Sequence, residues 1–566
     1  MNENDEPRIG VFVCHCGVNI GSVVNVPEVV EYAKTLPNVV RAEGNLYTCS
    51  SEGLSKLKEA IKKFHINRVV VASCTPRTHE PLFRSACEEA GLNKYLFHMA
   101  NIREQCSWVH PKDPKSATGK AKEIVKMAVA KAALLEPQTE PEIDVLPTAL
   151  VIGGGVAGIT AALSLANQKF NVHLVEKENE LGGKLKELYK LYPSNNRASE
   201  ILEEFVRAVR SNTNIKVHTS STVRYTEGFI GNFKVTINHE GKDETLNTGT
   251  IIVATGADVL KPYGLYSYGE SKNVLTQLEL EQTMKKGELG NPKNVVMIQC
   301  AGAREEKEGG RNYCSRICCA VAVKNALQIK ELSPETEVYV LYRDMQTYGK
   351  EFEKQYRRAR ENSVQFIRYE VKLPPEIFAR PDGELAVRVY DTLINANLEL
   401  DADLVVLSTP LIQGKETEEL SKILKVPLGS ERFFFEAHVK LRPVDFATDG
   451  IFVCGTAHSP KTIPESIAQA YAAASRAGIP MALRRVRTEA ITAFVNEDLC
   501  TGCGTCAMLC PYSAIRKDEQ GIARVNDVLC KGCGVCSASC PEKAIKMKHF
   551  SDAQVLAEAT AALGGA

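Results

Sequence analysis

Leu150-Val151-Ile152-Gly153-Gly154-Gly155-Val156-Ala157-Gly158 is a short apolar run that breaks into spaced glycines and continues as an apolar helical pattern. A second apolar run, Val172–Val175, ends in the acid Glu176. Three glycines spaced G-x-G-x-x-G allow a tight turn, close approach of backbone N–H groups to a pyrophosphate, and tight helix–strand packing. The helix N-terminus supplies positive field for the anion, and an acid about twenty residues on can accept hydrogen bonds from a ribose. Glycines alone would suit a plain structural turn. Strand, spacing and acid together predict an α/β dinucleotide-binding unit, with Gly153, Gly155, Val156, Ala157, Gly158, Glu176 and Lys177 as candidate cofactor-binding residues.

The segments that follow narrow the choice of dinucleotide. Leu181-Gly182-Gly183-Lys184 comes just after the second strand, and Ile251–Ala257 ends another strand in Ala254-Thr255-Gly256. Gly450–Ala457 is a strand running into a turn at Gly455, followed by a helical stretch from Ile463 to Ala474 whose N-terminus is expected to face a flavin ring. In this order the segments resemble the FAD domain of two-dinucleotide disulfide reductases such as thioredoxin reductase. That family carries a second glycine fingerprint for NAD(P)H and a C-x-x-C redox pair. Here the equivalent strand, Val295–Gln299, runs into Cys300-Ala301-Gly302-Ala303 with no such fingerprint, and the redox pair is missing. FAD is therefore expected without a nicotinamide site. Lys461 is the candidate catalytic residue, because a cation near the flavin N5 or N1/C2 region tunes its electronics; a solvated loop lysine is the competing reading.

Cysteine spacing adds a second chemistry. Cys500, Cys503, Cys506 and Cys510-Pro511 are echoed by Cys530, Cys533, Cys536 and Cys540-Pro541. Each is the C-x2-C-x2-C-x3-C-P run of a bacterial ferredoxin, whose fourth cysteine ligates the other cluster. One 4Fe–4S cluster is assigned to Cys500, Cys503, Cys506 and Cys540, the other to Cys530, Cys533, Cys536 and Cys510. Structural zinc prefers two separated ligand pairs and suits this interleaved order poorly. Cys300, Cys314, Cys318 and Cys319 stand where a nicotinamide would bind; helical spacing is expected to put Cys314 and Cys318 on one face, and a further cluster is predicted. The competing reading is buried apolar cysteines.

Over 8–109 four short apolar runs alternate with amphipathic stretches: strands at 8–13, 38–42, 68–72 and 95–99, helices at 27–36, 53–64 and 80–90. This predicts a small open α/β sheet. Ligands gather at the carboxyl ends of such strands, where Cys16, Cys49, Cys74 and Cys106 are expected to hold another cluster, with Cys14 interchangeable with Cys16. Cys87 and Cys454 read as packing residues. His15, His79, His98 and His110 read as structural, and Trp108 as a core or interface anchor.

At 566 residues, with a helix predicted over 117–135 and a proline-rich linker over 136–147, the chain is expected to form three domains. They are an N-terminal α/β domain (1–147), a thioredoxin-reductase-like FAD domain (148–486) and a ferredoxin-like α+β domain with a helical tail (487–566). The last is expected to act as a mobile or surface relay. Lys+Arg and Asp+Glu both number 69, which gives no field for nucleic acid. The most apolar stretch, Ala149–Ala166, is punctuated by four glycines, so no membrane span is expected. Nineteen cysteines without a signal-peptide pattern point to metal ligation in a reducing cytoplasm.

The opening Val11-Phe-Val-Cys-His-Cys-Gly-Val-Asn-Ile-Gly21, the segments 72–81 and 100–110, the Gly153 fingerprint, the Cys300 set and the terminal ferredoxin together resemble the A-subunit family of heterodisulfide reductases over nearly the whole length. The resemblance implies an oxidoreductase with an electron-bifurcating FAD, working between ferredoxin and a disulfide-reducing subunit. Implied partners are the B and C subunits of such reductases, a hydrogenase- or formate-dehydrogenase-type electron-input module and ferredoxin, with a homodimer inside the larger complex. One departure is visible. Well-known methanogen forms of the family carry an additional ferredoxin domain inserted in the flavin domain, yet residues 184–299 contain no cysteine. Two rival functions are an NAD(P)H:ferredoxin-type oxidoreductase and a subunit that wires electrons without bifurcating them.

Overall fold

The computed structural model describes residues 6–381 and 383–564. It contains two compact units. One joins Met1–Glu142 to Arg487–Ala566, and the other is Ile143–Val486.

In the first unit, strands Ile9–Cys14, Val39–Asn45, Arg68–Ser73 and Phe97–Asn101 form a parallel sheet. Its spatial order is second, first, third, fourth. Apart from Arg68 at the start of the third, the first and third strands are apolar or small, as strands covered on both faces must be. Each crossover helix starts at a side-chain cap: Asn25 for Val26–Ala33, Ser50 for Ser51–Lys63, Thr75 for Pro76–Glu89. Asp113 caps Pro114–Ala133. All four strand C-termini therefore open on one edge, which is where Cys14, Cys49, Cys74 and the turn after Asn101 emerge.

The C-terminal segment is built from two short hairpin-like pairs, Ala493–Val495 with Ile545–Met547 and Ile515–Lys517 with Ala523–Val525. It is not a free tether. The helix Asp552–Ala562 lies along Pro114–Ala133, with Gln554 Nε2 donating to the Leu134 carbonyl at 2.8 Å. The Lys131 ammonium sits 3.9 Å from the Phe550 ring centroid. The Ala490 N–H donates to the Tyr95 hydroxyl at 3.0 Å. These contacts join residues about four hundred positions apart, so of the expected mobile or surface relay the packed surface arrangement is the one they suit.

The second unit holds two parallel five-stranded sheets. The first runs Ile451–Val453, Thr250–Val253, Thr148–Ile152, Asn171–Val175, Ile215–His218. The second runs Val274–Thr276, Leu404–Leu407, Asn294–Ile298, Glu337–Tyr342, Gln365–Arg368. Antiparallel three-stranded sheets accompany each. The α/β class expected from the glycine fingerprint is what the chain adopts. After Ile298 the second sheet departs from a dinucleotide turn: Cys300 takes φ 61° and a loop without regular structure runs to Ile317. No described helix is long and apolar enough to cross a membrane.

Candidate functional site

Thr148–Ile152 delivers the chain to Gly153, whose φ of 109° only glycine holds without strain. A Cβ there would lie 2.4 Å from the Ala254 carbonyl oxygen. At Gly158 a Cβ would lie 1.8 Å from the Gly153 carbonyl oxygen, so this glycine lets the helix Val156–Asn167 sit directly on the turn. Gly155 differs: its Cβ position has only the Gly183 Cα nearby, at 3.9 Å, and faces open space.

That space is a cavity of about 880 Å³. It is lined by Gly153, Gly155, Val156, Ala157, Glu176, Lys177, Gly183, Lys184, Ala254, Thr255, Gly256, Lys461 and Ile463. Gly158 and Gly455 stand behind it, shaping the turns. The buried Glu176 carboxylate accepts the Gly154 N–H at 2.6 Å and the Glu178 N–H at 2.9 Å, which fixes it at the cavity edge. Helix Ile463–Leu483 begins at the cavity with a reciprocal cap between Thr462 and Glu465. The donor set is that of a dinucleotide site: a glycine turn, the N-terminus of the helix Val156–Asn167 and an anchored acid.

Lys461 is not a solvated loop residue. It is 9 % exposed, and its Nζ donates at 2.9 Å to the Gly455 carbonyl, the Ser459 carbonyl and the Ser459 hydroxyl. Burial pulls its pKa down to about 8, with Glu465 opposing.

Cys318 lines the same cavity. Burial pushes its thiol well above the ordinary range, and the fields of Cys319, Cys300 and Cys314 add to that. Cys319 is raised to about 11, first by burial, with Cys300 and Cys314 again in its field. The four sulfurs thus converge, but not by the expected route. The helix begins only at Cys318, because Arg316 takes φ 63°; Cys314 is brought in by the irregular loop, not by helical spacing. Its sulfur accepts the Arg316 N–H at 3.3 Å. Arg304 and Arg343 place positive charge beside Cys300. Four thiols in mutual repulsion with cations around them fit a group that neutralises thiolates, as an iron–sulfur cluster does.

At the edge of the N-terminal sheet the gathered thiols are Cys14, Cys16, Cys49 and Cys74. Cys49 lies in the field of Cys14 and Cys16, and Cys74 in that of Cys16 and Cys14. Cys14 Sγ accepts the N–H groups of Cys16 at 3.2 Å and Thr48 at 3.4 Å. Cys106 stands apart: its buried thiol donates to the Ala117 carbonyl at 3.1 Å, and the charge in its field is Lys120 rather than another of these thiols. The structure therefore groups Cys14 and Cys16 together and turns Cys106 away, into the helix Pro114–Ala133. Trp108, 53 % exposed, is no core residue. Cys87 and Cys454 are fully buried, and burial pushes both up to about 12.

In the C-terminal segment, Cys500, Cys503, Cys506 and Cys540 line one small cavity. Around Cys536, raised to about 11 chiefly by burial, stand Cys530, Cys533 and Cys510. The fourth cysteine of each run is thus placed beside the first three of the other run. Gly502 and Gly504 repeat the left-handed backbone of Gly532 and Gly534, so the two halves fold alike. Among the described residues no three His, Cys, Asp or Glu groups meet at single-ion spacing. A cubane holds its thiolates further apart than one ion does.

Sequence reasoning missed two groups. Glu281 and Lys324 form a buried ion pair at 2.5 Å in the cavity wall, 43 positions apart with no local signal. Arg316 bridges the cysteine loop to the cavity helix, donating to Glu465 at 2.6 Å.

Fold and sites define an iron–sulfur flavoprotein oxidoreductase. Residues 147–475 match the pyridine nucleotide-disulphide oxidoreductase family, and residues 493–547 match the 4Fe-4S dicluster domain. The fold implies FAD, and the dicluster domain implies iron–sulfur clusters. The chain is 41 % identical to the A subunit of the H(2):CoB-CoM heterodisulfide,ferredoxin reductase of Methanothermobacter thermautotrophicus, over 99 % of this chain and 98 % of that protein. It is 40 % identical to an iron–sulfur A subunit of the CoB–CoM heterodisulfide reductase of Methanopyrus kandleri, over 100 % and 99 %. Identity to the corresponding protein of Methanocaldococcus jannaschii is also 40 %, over 97 % and 98 %. The chain belongs to the A-subunit family of heterodisulfide reductases and is an electron-transfer component of that class, which implies other subunits of the reductase. The Methanothermobacter alignment runs over 649 positions against 566 residues here, so that relative carries sequence this chain lacks.

Proposed function

We propose that this chain is the flavin-bearing electron-distributing subunit of a heterodisulfide-reductase-type complex, dividing electron pairs between ferredoxin and a disulfide-reducing subunit. The carrying observation is that Cys318, within a four-thiol group, lines the same cavity as the dinucleotide fingerprint and Lys461. Bound FAD supplies exchange between two-electron and one-electron chemistry, and 4Fe–4S clusters supply one-electron steps. Gly153, Gly155 and the first turn of Val156–Asn167 would hold the pyrophosphate, and Glu176 the ribose. Lys461 Nζ, fixed by three oxygen acceptors, would keep positive charge at the flavin side of the cavity below pH 8. Cys300, Cys314, Cys318 and Cys319 would hold one cluster, and Cys14, Cys16, Cys49 and Cys74 another. The crossed ferredoxin sets would hold two more.

Proposed partners are the B and C subunits, a hydrogenase- or formate-dehydrogenase-type input module and ferredoxin, with a homodimer within the complex. A relative in Methanococcus maripaludis is named as the A subunit of an H(2)/formate:CoB-CoM heterodisulfide,ferredoxin reductase. The test is potentiometry of the reconstituted chain together with NADH addition. Strongly crossed one-electron flavin potentials support the proposal. Uncrossed potentials favour a simple wiring role, and flavin bleaching by NADH alone favours an NAD(P)H oxidoreductase.

A further inference from the structure

The edge of the N-terminal sheet carries a charged pair that the proposed function does not use. After Asn101 the chain makes a single wide turn, Arg103–Ser107, in which the Ser107 and Trp108 N–H groups reach back five residues to the Ile102 and Arg103 carbonyls. Such π-type turns are rare and are frequent at functional sites. Here the turn aims Arg103 at the thiols. Its Nη1 donates to Cys16 Sγ at 3.3 Å. Its Nε and Nη2 hold Glu104 Oε1 at 3.0 and 2.6 Å, and the guanidinium lies 4.8 Å from the Trp108 ring centroid. The Asn101 side chain fixes the turn by accepting the Arg103 and Glu104 N–H groups. Burial raises the pKa values of Cys49 and Cys74, the latter to about 11; the field of Arg103 opposes that rise at both, and Glu104 adds to it at Cys74. The second Glu104 carboxylate oxygen is buried with no hydrogen-bond partner.

We infer that Arg103 and Glu104 form a potential-setting pair for the centre held by Cys14, Cys16, Cys49 and Cys74, acting on it with opposite signs. This rests on the proposal that those four thiolates hold a 4Fe–4S cluster. One-electron reduction adds one negative charge and leaves the four Fe–S bonds in place. A guanidinium donating to a ligand sulfur stabilises that extra charge, and a carboxylate beside it opposes it. Arginine suits the task because it stays charged at every accessible pH, and stacking on Trp108 holds its planar fork in place.

The experiment uses the full chain with its clusters and FAD, titrated with dithionite and followed by electron paramagnetic resonance and iron content. Cys74→Ala identifies the transition in question by removing it together with about four irons. Equal iron in wild type and Cys74→Ala would overturn the cluster assignment and this inference with it. Arg103→Gln is expected to keep the iron and to disfavour reduction of that centre at least tenfold, about 59 mV more negative for one electron. Arg103→Lys should recover part of the shift. Glu104→Gln should move the potential the other way. An Arg103→Gln potential within threefold of wild type, with iron retained, would overturn the inference alone. Should Arg103→Gln lose the cluster, Glu104→Gln decides, and an unmoved or lowered potential there refutes it.

Discussion

Two glycines of one fingerprint should fail in different ways when given side chains. A Cβ at Gly158 would lie 1.8 Å from the Gly153 carbonyl oxygen, whereas carbon–oxygen contacts close at about 3.3 Å. The helix must therefore back away from the turn by about 1.5 Å, an overpacking cost of roughly 1–3 kcal/mol. Each kcal/mol lowers Tm by about 2–4 °C in a domain of this order of size. Gly158→Ala should thus melt several degrees early with or without FAD. A Cβ at Gly155 has Gly183 Cα nearest, at 3.9 Å, and the φ/ψ of −79°/−176° there is comfortable for valine. Its cost to the flavin-free fold is limited to the poorer helix cap, about 1 kcal/mol. The branched side chain instead fills the space between Gly155 and Gly183, where a pyrophosphate would approach the helix amides. A hundredfold loss of FAD affinity is about 2.7 kcal/mol, the stabilisation wild type gains at FAD one hundred times its Kd. The assay is flavin absorbance after desalting and denaturation, paired with melting curves with and without FAD. Gly155→Val should be flavin-free with no FAD-dependent rise in Tm. A stoichiometric flavin and a wild-type rise in that variant would refute the site, and a wild-type Tm for Gly158→Ala would refute the packing argument.

Fully reconstituted protein is expected to contain about sixteen irons per FAD, four per cluster, and a reproducible value near eight by iron assay would leave only the ferredoxin sets. Cys318→Ala should lose one cluster's iron while keeping FAD, whereas Cys106→Ala should keep the full iron content; iron loss in the latter would return Cys106 to the ligand set. The Lys461 pKa is lower folded (about 8) than its ordinary 10.5, so between those values the unfolded chain binds the extra proton and stability of flavin-free protein should rise with pH. Urea melts of Lys461→Met should lack that rise and show greater stability below pH 8; an unchanged slope would contradict the buried charge. Deleting 490–566 uncovers Tyr95, Lys131 and the face of Pro114–Ala133, so the truncated N-terminal segment should become protease-sensitive, as limited proteolysis would reveal.

Local chemistry was legible where neighbours in sequence are also neighbours in space. The Gly153 turn, the acid after the second strand and the tripled cysteine spacing of 500–506 and 530–536 impose their geometry within a few residues. The caps Asn25, Ser50 and Thr75 mark helices that apolar periodicity had already located. Tertiary structure decided everything that depends on closure of long loops. Cys14 and Cys16 stand with Cys49 and Cys74 because parallel strands bring their carboxyl ends to one edge, while Cys106 is drawn off to the Ala117 carbonyl, eleven residues further on. Cys314 joins its set through a left-handed residue at Arg316 that no periodicity announces. Glu281 finds Lys324, Arg103 finds Cys16, and the last helix finds Pro114–Ala133 across 43, 87 and 420 positions respectively. Such pairs carry no local signature, since what brings them together is the packing of apolar faces, and that is settled only when the whole sheet and its helices close.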